Sequence, residues 1–123
     1  MILAAESCAN TREVLRGAVE VLGHGILEAH DTTEAMLAIQ AHFPDIDLIV
    51  LDWHLEGNSG FDTLRWIKSD ARFSNIPVML FLPDEDAAHA IVAFQEGASE
   101  CLTGTFTEQD LMTRMLECLR RAA

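Results

Sequence analysis

The sequence is short of positive charge. Eight lysine and arginine residues stand against 20 aspartates and glutamates, which gives a formal net charge of −12, and Lys68 is the only lysine. Such an excess of negative charge repels phosphate backbones and anionic lipid headgroups. We therefore expect neither nucleic acid nor a membrane surface as a direct partner. Cations and basic protein surfaces remain compatible with this charge.

Several other features are missing as well. No run approaches the ~20 apolar residues of a membrane span, and no signal peptide opens the chain. The three cysteines, Cys8, Cys101 and Cys118, are odd in number and show no CxxC spacing, so we expect reduced thiols in a cytoplasmic protein. Neither GxGxxG nor GxxxxGK[ST] is present, which weakens nucleotide binding as a function.

What the sequence does contain is an alternation of short apolar runs with helical patterns. At 123 residues and 50% hydrophobic composition, we expect a single domain over 1–123. Five runs predict buried strands: 1–5, 25–29, 48–52, 76–82 and 99–103. A helical pattern follows each run. Five strand-helix repeats with right-handed crossovers predict a doubly wound α/β fold with a parallel sheet and helices on both faces.

The helices carry start, stop and core signals. Asp31 with Glu34 and Thr107 with Asp110 have capping-box spacing, residues 83–86 form an acidic helix start, and Pro44 follows the end of the second helix. Glycines at 23 and 97 supply stops. The first and last helices have apolar stripes that predict core positions: Val14, Leu15, Ala18, Val19 and Leu22, and Leu111, Met112, Met115, Leu116 and Leu119.

The segment at 47–60, DLIVLDWHLEGNSG, is central to the chain. It is apolar at every position from Leu48 to Leu51, as in a strand buried on both faces, and it then ends on Asp52. In open α/β sheets, ligands bind at the carboxyl ends of the strands. Asp52 is either a site residue or an acid that only ends the strand. Glu6 either pairs with Asp52 or is a solvated loop acid, whereas Asp84 is favoured as a helix-start acid.

Several other side chains can be interpreted in two ways. His54 is either a metal ligand or pH-sensitive group, or an inert exposed histidine. Cys8 lies at a predicted helix N-terminus, which lowers a thiol pKa, but no catalytic base can be assigned to it. Trp53 and Trp66 are either exposed anchors for a partner or core residues, and we expect at least one of them in the core.

Taken together, ILAAES, DLIVLDWHLEGNSG, IPVML and EGASECLTGTF resemble a response-regulator receiver domain, the flavodoxin-like module of two-component signalling. The resemblance covers the whole chain and implies the strand order 2-1-3-4-5. It also implies that Asp52 is the phosphoacceptor, that Glu6 helps to hold Mg²⁺, and that Gly57 and Gly60 are the loop glycines. The partner it implies is a histidine kinase or other signalling protein, with a fused output domain in a longer chain as a further option.

The same resemblance shows where the chain departs from the family. The family's second acid, loop proline, switch hydroxyl, switch aromatic, conserved lysine and following proline are all replaced. The residues here are Ser7, Glu56, Leu82, Cys101, Gly104 and Thr105, respectively. Leucine cannot donate a hydrogen bond to a phosphoryl oxygen, and glycine provides no cation. These losses predict a degenerate receiver that acts mainly through protein contacts and not as an enzyme.

The departures leave three alternatives open. Glu6 and Asp52, with the His54 backbone, still predict a weak Mg²⁺ site, so an inefficiently phosphorylated receiver is one alternative. A small phosphatase with a strand-end Asp nucleophile is another, although such enzymes carry DxD and position 54 is His. A flavodoxin is the third, although Ser7, Asn10 and Thr11 imitate its phosphate loop only loosely.

Overall fold

The computed structural model describes residues 1–82 and 88–122, in which strands and helices alternate. The strands are β1 (Ile2–Ala5), β2 (Ile26–Ala29), β3 (Leu48–Asp52), β4 (Val78–Leu82) and β5 (Glu100–Thr103). The α-helices are α1 (Ala9–Val21), α2 (Thr32–His42), α3 (Gly60–Ser69), α4 (Ala90–Gln95) and α5 (Glu108–Ala122). A 3-10 turn at Phe43–Asp45 contains Pro44 and separates α2 from β3.

The five strands form one parallel sheet in the order β2-β1-β3-β4-β5. This order confirms the predicted doubly wound, flavodoxin-like fold. In the register, Ala5 lies beside Leu51, and Asp52 lies beside Phe81. The carboxyl ends of β1, β3 and β4 therefore meet at one edge of the sheet, and the residue after β1, Glu6, falls next to Asp52.

The central strand shows why its sequence is apolar at every position. Leu48 and Val50 belong to the core layer under α1 and α5, whereas Ile49 and Leu51 belong to the layer under α2, α3 and α4. All four side chains are fully buried. Successive strand residues point to opposite faces, so a strand covered by helices on both faces needs an apolar side chain at each position.

Both predicted capping pairs stabilise helix starts, but in different ways. Thr107 and Asp110 form the full reciprocal box, with each backbone N–H donating to the other side chain at 3.0–3.1 Å. Asp31 Oδ1 accepts from the Glu34 N–H at 2.8 Å. The Glu34 carboxylate accepts instead from the His30 N–H at 2.7 Å, one residue before the cap. In the Asp31–Glu34 pair, the return hydrogen bond therefore involves the N–H of the residue before the cap, not that of the cap itself.

The predicted core stripes are wrong at two positions. Val14 on α1 is 37% exposed and Leu116 on α5 is 42% exposed. On α5 the buried stripe runs through Leu111, Met115 and Cys118, which follow four-then-three spacing. The apolar side chain at 116 lies beside that stripe, because the rotation of α5 is set by its packing against α1 and the sheet. The predicted helix start at 83–86, with Asp84, lies outside the described residues.

Candidate functional site

Side chains from four strand ends line a small cavity at the carboxyl edge of the sheet. The cavity has a volume of about 150 Å³. Glu6 and Asp52 provide its acidic wall, as the register of β1 and β3 requires. The remaining lining residues are Thr11, Phe81, Leu82, Leu102, Gly104 and Phe106. The structure thus brings together Glu6, Asp52, Leu82 and Gly104. Thr11, named in the sequence only as part of a loose flavodoxin-like loop, also lines the cavity, and so do the two phenylalanines, which were not singled out.

Asp52 is held at the end of β3 by a tight loop. Its carboxylate accepts a hydrogen bond from the His54 N–H at 3.0 Å. The Gly60 N–H donates to the Trp53 carbonyl at 2.8 Å, which folds the start of α3 back over β3. A Cβ at position 60 would lie 2.2 Å from the Asp52 carbonyl oxygen. Only glycine therefore permits this approach, and the loop fixes the position of Asp52.

Glu6 is the buried member of the acid pair. Its side chain is only 4% exposed. Oε1 accepts from the Cys8 N–H at 3.3 Å, and Oε2 has no hydrogen-bond donor among the described residues. Burial first, and then the negative charge of Asp52, raise the pKa of Glu6 to about 8. The raised pKa favours the protonated form of Glu6 at neutral pH, which reduces the repulsion between the two carboxyl groups.

Neither Arg12 nor Lys68 directs its positive charge at the acid pair. The Arg12 guanidinium donates to the backbone carbonyls of Glu6 and Ser7, both at 2.9 Å. The Lys68 ammonium donates to backbone carbonyls near the start of β4, at the opposite edge of the sheet. Over residues 1–82 and 88–122, no group of three or more His, Cys, Asp or Glu side chains is placed to hold a metal ion.

Ser7, at the position of the missing acid, connects three loops. Its hydroxyl donates to the His30 carbonyl at 3.0 Å and accepts from the Glu56 N–H at 2.9 Å. Thr32, which is buried, continues this connection: its N–H donates to the Glu56 carbonyl at 2.8 Å, and its hydroxyl accepts from the Asn58 N–H at 2.9 Å. The Ser7 oxygen is thus committed to the scaffold of the site.

The three predicted switch positions are apolar or lack a side chain. Leu82 ends β4 and is 3% exposed. Cys101 is half-buried against the same core layer, and burial raises its pKa to about 11, so its thiol stays protonated. Gly104 follows β5 with a φ of +73°, which favours glycine. These three positions therefore provide no cation and no hydrogen-bond donor stronger than the Cys101 thiol.

The other candidate residues lie around the cavity. Cys8 is the exposed N-cap of α1, and hydrogen bonds from Thr11 and Asn10 lower its pKa, as expected for a thiol at a helix N-terminus. His54 is exposed and contacts Asp52 through its backbone. Trp53 stacks on His89 with ring centroids 5.1 Å apart. Both Trp53 and Trp66 pack against the core while remaining partly exposed.

Similarity to known proteins identifies the family of this chain. The family model for the response regulator receiver domain matches residues 2–116. The chain belongs to this family. As a receiver domain, it is a module of two-component signalling. No helix in the described part of this receiver is long and apolar enough to cross a membrane.

Individual relatives agree with this assignment. The receiver is 33% identical over 120 residues to the phosphate regulon transcriptional regulatory protein PhoB of Pseudomonas aeruginosa, covering 98% of this chain and 52% of that protein. It is 27% identical to the chemotaxis protein CheY of the same organism, covering 98% of this chain and 96% of CheY. The chain thus spans about half the length of PhoB.

Solved structures show the same fold. A response regulator receiver domain protein from Clostridium thermocellum superimposes with a TM-score of 0.88 at 28% sequence identity, covering 98% of this chain and 94% of that one. A response regulator from Chloroflexus aurantiacus gives a TM-score of 0.89 at 22% identity. The sheet order and the helices on both faces are therefore those of known receivers.

Proposed function

We propose that this receiver has a degenerate phosphorylation site and works mainly as a protein-protein signalling module. The observation that carries the proposal is the presence of Leu82 and Gly104 in the cavity that contains Asp52. A phosphoryl group on Asp52 would meet an aliphatic side chain on one side and a bare backbone on the other. The leucine side chain has no hydrogen-bond donor, and glycine has no charged side chain. The phosphorylated form therefore gains no new side-chain contact from either position.

The electrostatics of the cavity also oppose phosphorylation. A phosphoryl group adds concentrated negative charge beside Glu6, whose carboxyl group is almost fully buried. Phosphoryl transfer depends on cations that neutralise the developing charge. Arg12 is engaged with backbone carbonyls, and Lys68 lies at the opposite edge of the sheet. Any phosphorylation of Asp52 is therefore expected to be slow.

The donor set supports only a weak Mg²⁺ site. Mg²⁺ prefers six oxygen ligands and is commonly held by one or two carboxylates plus water. The unpartnered Oε2 of Glu6 is a suitable ligand, as is the Asp52 carboxylate, with the His54 backbone as a further candidate. The Ser7 hydroxyl is already committed to two backbone groups. When bound, Mg²⁺ would neutralise charge on the phosphoryl oxygens, and its affinity should be low.

The proposed partner is a histidine kinase or another signalling protein in the cytoplasm. The net charge of −12 supports a partner with a basic surface. A fused output domain is a further candidate, since PhoB, a transcriptional regulatory protein, is about twice as long as the matched region. We propose a binding role and no catalytic one.

Substitution of Asp52 in the host cell tests the proposal. Asp52→Asn removes the phosphoacceptor and changes the side chain by one atom. We expect retained signalling, because the partner contacts do not depend on a phosphoryl group. The control is Asp62→Asn, an exposed acid in the first turn of α3. A null phenotype for Asp52→Asn alone, with normal protein abundance, would contradict the docking proposal.

An inefficiently phosphorylated receiver is the second candidate, favoured by the retention of a partly exposed Asp52 at the end of β3. Incubation with acetyl phosphate and Mg²⁺, followed by intact-protein mass spectrometry, tests it. A phosphorylated species that is absent from Asp52→Asn would support this candidate. No comparable observation favours a phosphatase or a flavin protein: the cavity of about 150 Å³ is smaller than the ~300 Å³ at which ligand pockets usually begin.

A further inference from the structure

The acidic wall of the cavity has an unused hydrogen-bonding atom. Glu6 is only 4% exposed, and its Oε2 atom is buried and accepts from no donor in the described part of the chain. Buried polar atoms in proteins are usually satisfied, because an unpaired one has lost its hydrogen bonds to water without gaining others. An acceptor oxygen without a donor, next to the Asp52 carboxylate, is a site for a group that carries positive charge and N–H donors.

The cavity is the size of a single side chain. Its volume is about 150 Å³, below the ~300 Å³ of ordinary ligand pockets. Apart from the two acids, Thr11 and Gly104, its lining is apolar. The apolar walls are formed by Phe81, Leu82, Leu102 and Phe106. They would contact a methylene chain favourably, as lysine stems contact apolar surfaces elsewhere. Hydrated Mg²⁺, in contrast, keeps several waters that need polar neighbours.

This chain does not provide the missing cation from its described residues. Arg12 lies nearest to the pair in sequence, but its guanidinium is engaged with two carbonyls. Lys68 is engaged at the other edge of the sheet. Other arginines pair with acids elsewhere: Arg16 with Glu28, Arg65 with Glu96, Arg72 with Asp70, and Arg114 and Arg121 with Glu100.

We propose that this cavity receives the ammonium group of a lysine side chain from the partner protein, an inference that rests on the proposed docking function. An ammonium has three donors spread around one charge, so it can bridge Glu6 and Asp52, which come from different strands. A guanidinium is planar and suits bidentate pairing with one carboxylate. The four methylenes of lysine would lie along Phe81 and Phe106, and Gly104 leaves the cavity without a side chain from its own strand.

Titration with a small amine tests the inference on the intact chain. n-Butylammonium chloride reproduces the lysine side chain. We expect saturable chemical-shift changes at Glu6, Asp52 and Gly104 by NMR, above those from equal NaCl, and none with n-butanol. Glu6→Gln removes one of the two carboxyl groups that the ammonium would bridge and should weaken binding at least ~10-fold. Glu20→Gln, an exposed acid near the end of α1, is the matched control and should bind as wild type.

A second pair of variants provides the ammonium within the chain. Gly104→Lys and Gly104→Met impose the same strain at φ +73°, but only lysine carries the charge. We expect Gly104→Lys to have a Tm at least ~3 °C above that of Gly104→Met, and to abolish n-butylammonium binding. In the Glu6→Gln background, this difference in Tm should disappear.

Three outcomes would overturn the inference. Shift changes that match NaCl, or that persist in Glu6→Gln, would show only general screening. Putrescine binding more than ~10-fold tighter than n-butylammonium would indicate a free diamine as the ligand instead of a partner lysine. Displacement of the amine by stoichiometric Mg²⁺ would assign the cavity to the metal. None of these outcomes depends on Asp52→Asn signalling, so the docking function can stand if the lysine inference fails.

Discussion

The two halves of the carboxyl edge of the sheet have opposite character. At the ends of β1 and β3, Glu6 and Asp52 are held by loops that Ser7, Thr32 and Glu56 connect through hydrogen bonds. At the ends of β4 and β5, the cavity is lined by aliphatic and aromatic side chains and by a glycine. One half concentrates negative charge in a fixed geometry, and the other half has no described group that responds to that charge.

The acid pair of a receiver and the positions that would make it switch therefore lie in different halves of this edge. A ligand shifts a two-state equilibrium only through contacts that differ between the states. On the proposed function, the β1–β3 half can still bind a cation or a phosphoryl group. In the described part of the β4–β5 half, Leu82 and Gly104 offer no contact that would form when such a group arrives. We therefore expect substitutions in the two halves to have different consequences.

The largest effect is expected from Gly60→Ala in the β1–β3 half. The new Cβ would lie 2.2 Å from a backbone oxygen of Asp52, which cannot move without distorting the loop. We expect a loss of about 3 kcal/mol in the free energy of unfolding, the upper end for overpacking, measured by urea denaturation. Gly25→Ala is the control, because a Cβ there meets no atom within 4 Å. Equal effects for the two variants would contradict a tightly built loop.

The next effect is a pH dependence due to Glu6. Burial and Asp52 raise its pKa in the folded state to about 8, from 4.5 as the ordinary value. The folded state therefore binds more protons than the unfolded state between these values, so stability falls as the pH rises through this window. We expect a loss of at least ~2 kcal/mol from pH 5 to 8, since one pH unit is worth up to ~1.4 kcal/mol.

Glu6→Gln provides the comparison for this pH dependence. The glutamine of the variant has no proton to lose. The fall in stability that Glu6 causes in the wild type between pH 5 and 8 should therefore be absent from the variant. At pH 8 the variant should be more stable than the wild type. Chemical denaturation at pH 5, 6, 7 and 8 measures both proteins. Parallel pH profiles for the two proteins would show that Glu6 is not the responsible group.

A smaller effect is expected from a hydroxyl in the β4–β5 half. Leu82→Thr and Leu82→Val have nearly the same shape, and they differ in one hydroxyl group. Because Leu82 is buried beside apolar walls, we expect Leu82→Thr to be less stable than Leu82→Val by ~1 kcal/mol. Thermal and urea denaturation measure this difference. Equal stability would mean that the β4–β5 half already contains a partner for a hydroxyl group.

The smallest effect is expected from Mg²⁺. With two carboxylates in the donor set, ~10 mM Mg²⁺ should lie near or below the dissociation constant and add at most ~0.4 kcal/mol. The corresponding rise in Tm is about 2 °C or less. Thermal melts at constant ionic strength measure it, with Glu6→Gln as the control. A rise several times larger that disappears in Glu6→Gln would show a much better metal site than the sequence predicts.

The fold was predictable because its signals are local and repeated. The apolar run of β3 gives a strand covered on both faces, and the same pattern of strand and helix recurs five times along the chain. The proximity of Glu6 and Asp52 was left open by the residues alone and was favoured by the resemblance to receivers; the parallel strands place both at the same edge. The position of Asp52 at the end of β3 thus needed no information beyond the run that precedes it.

The parts that could not be predicted depend on contacts between distant residues. The hydrogen bond from the Glu56 N–H to the Ser7 hydroxyl joins positions 49 residues apart and leaves no local pattern. Neither does the contact of Thr32 with the loop after β3. The burial of Cys118 in place of Leu116 is set by the rotation of α5 against α1 and the sheet. The orientation of Arg12 towards carbonyls is likewise a property of the folded loop.

The response to a phosphoryl mimic tests the central claim, that this receiver keeps its acid pair but does not relay a change from it. We would record amide NMR spectra with Mg²⁺ and beryllofluoride, and with Mg²⁺ alone. The account predicts shifts confined to the neighbourhood of Glu6 and Asp52, with the signals of α4, β5 and α5 unchanged. Broad shifts across α4, β5 and α5, absent from Asp52→Asn, would contradict the account and show a working switch.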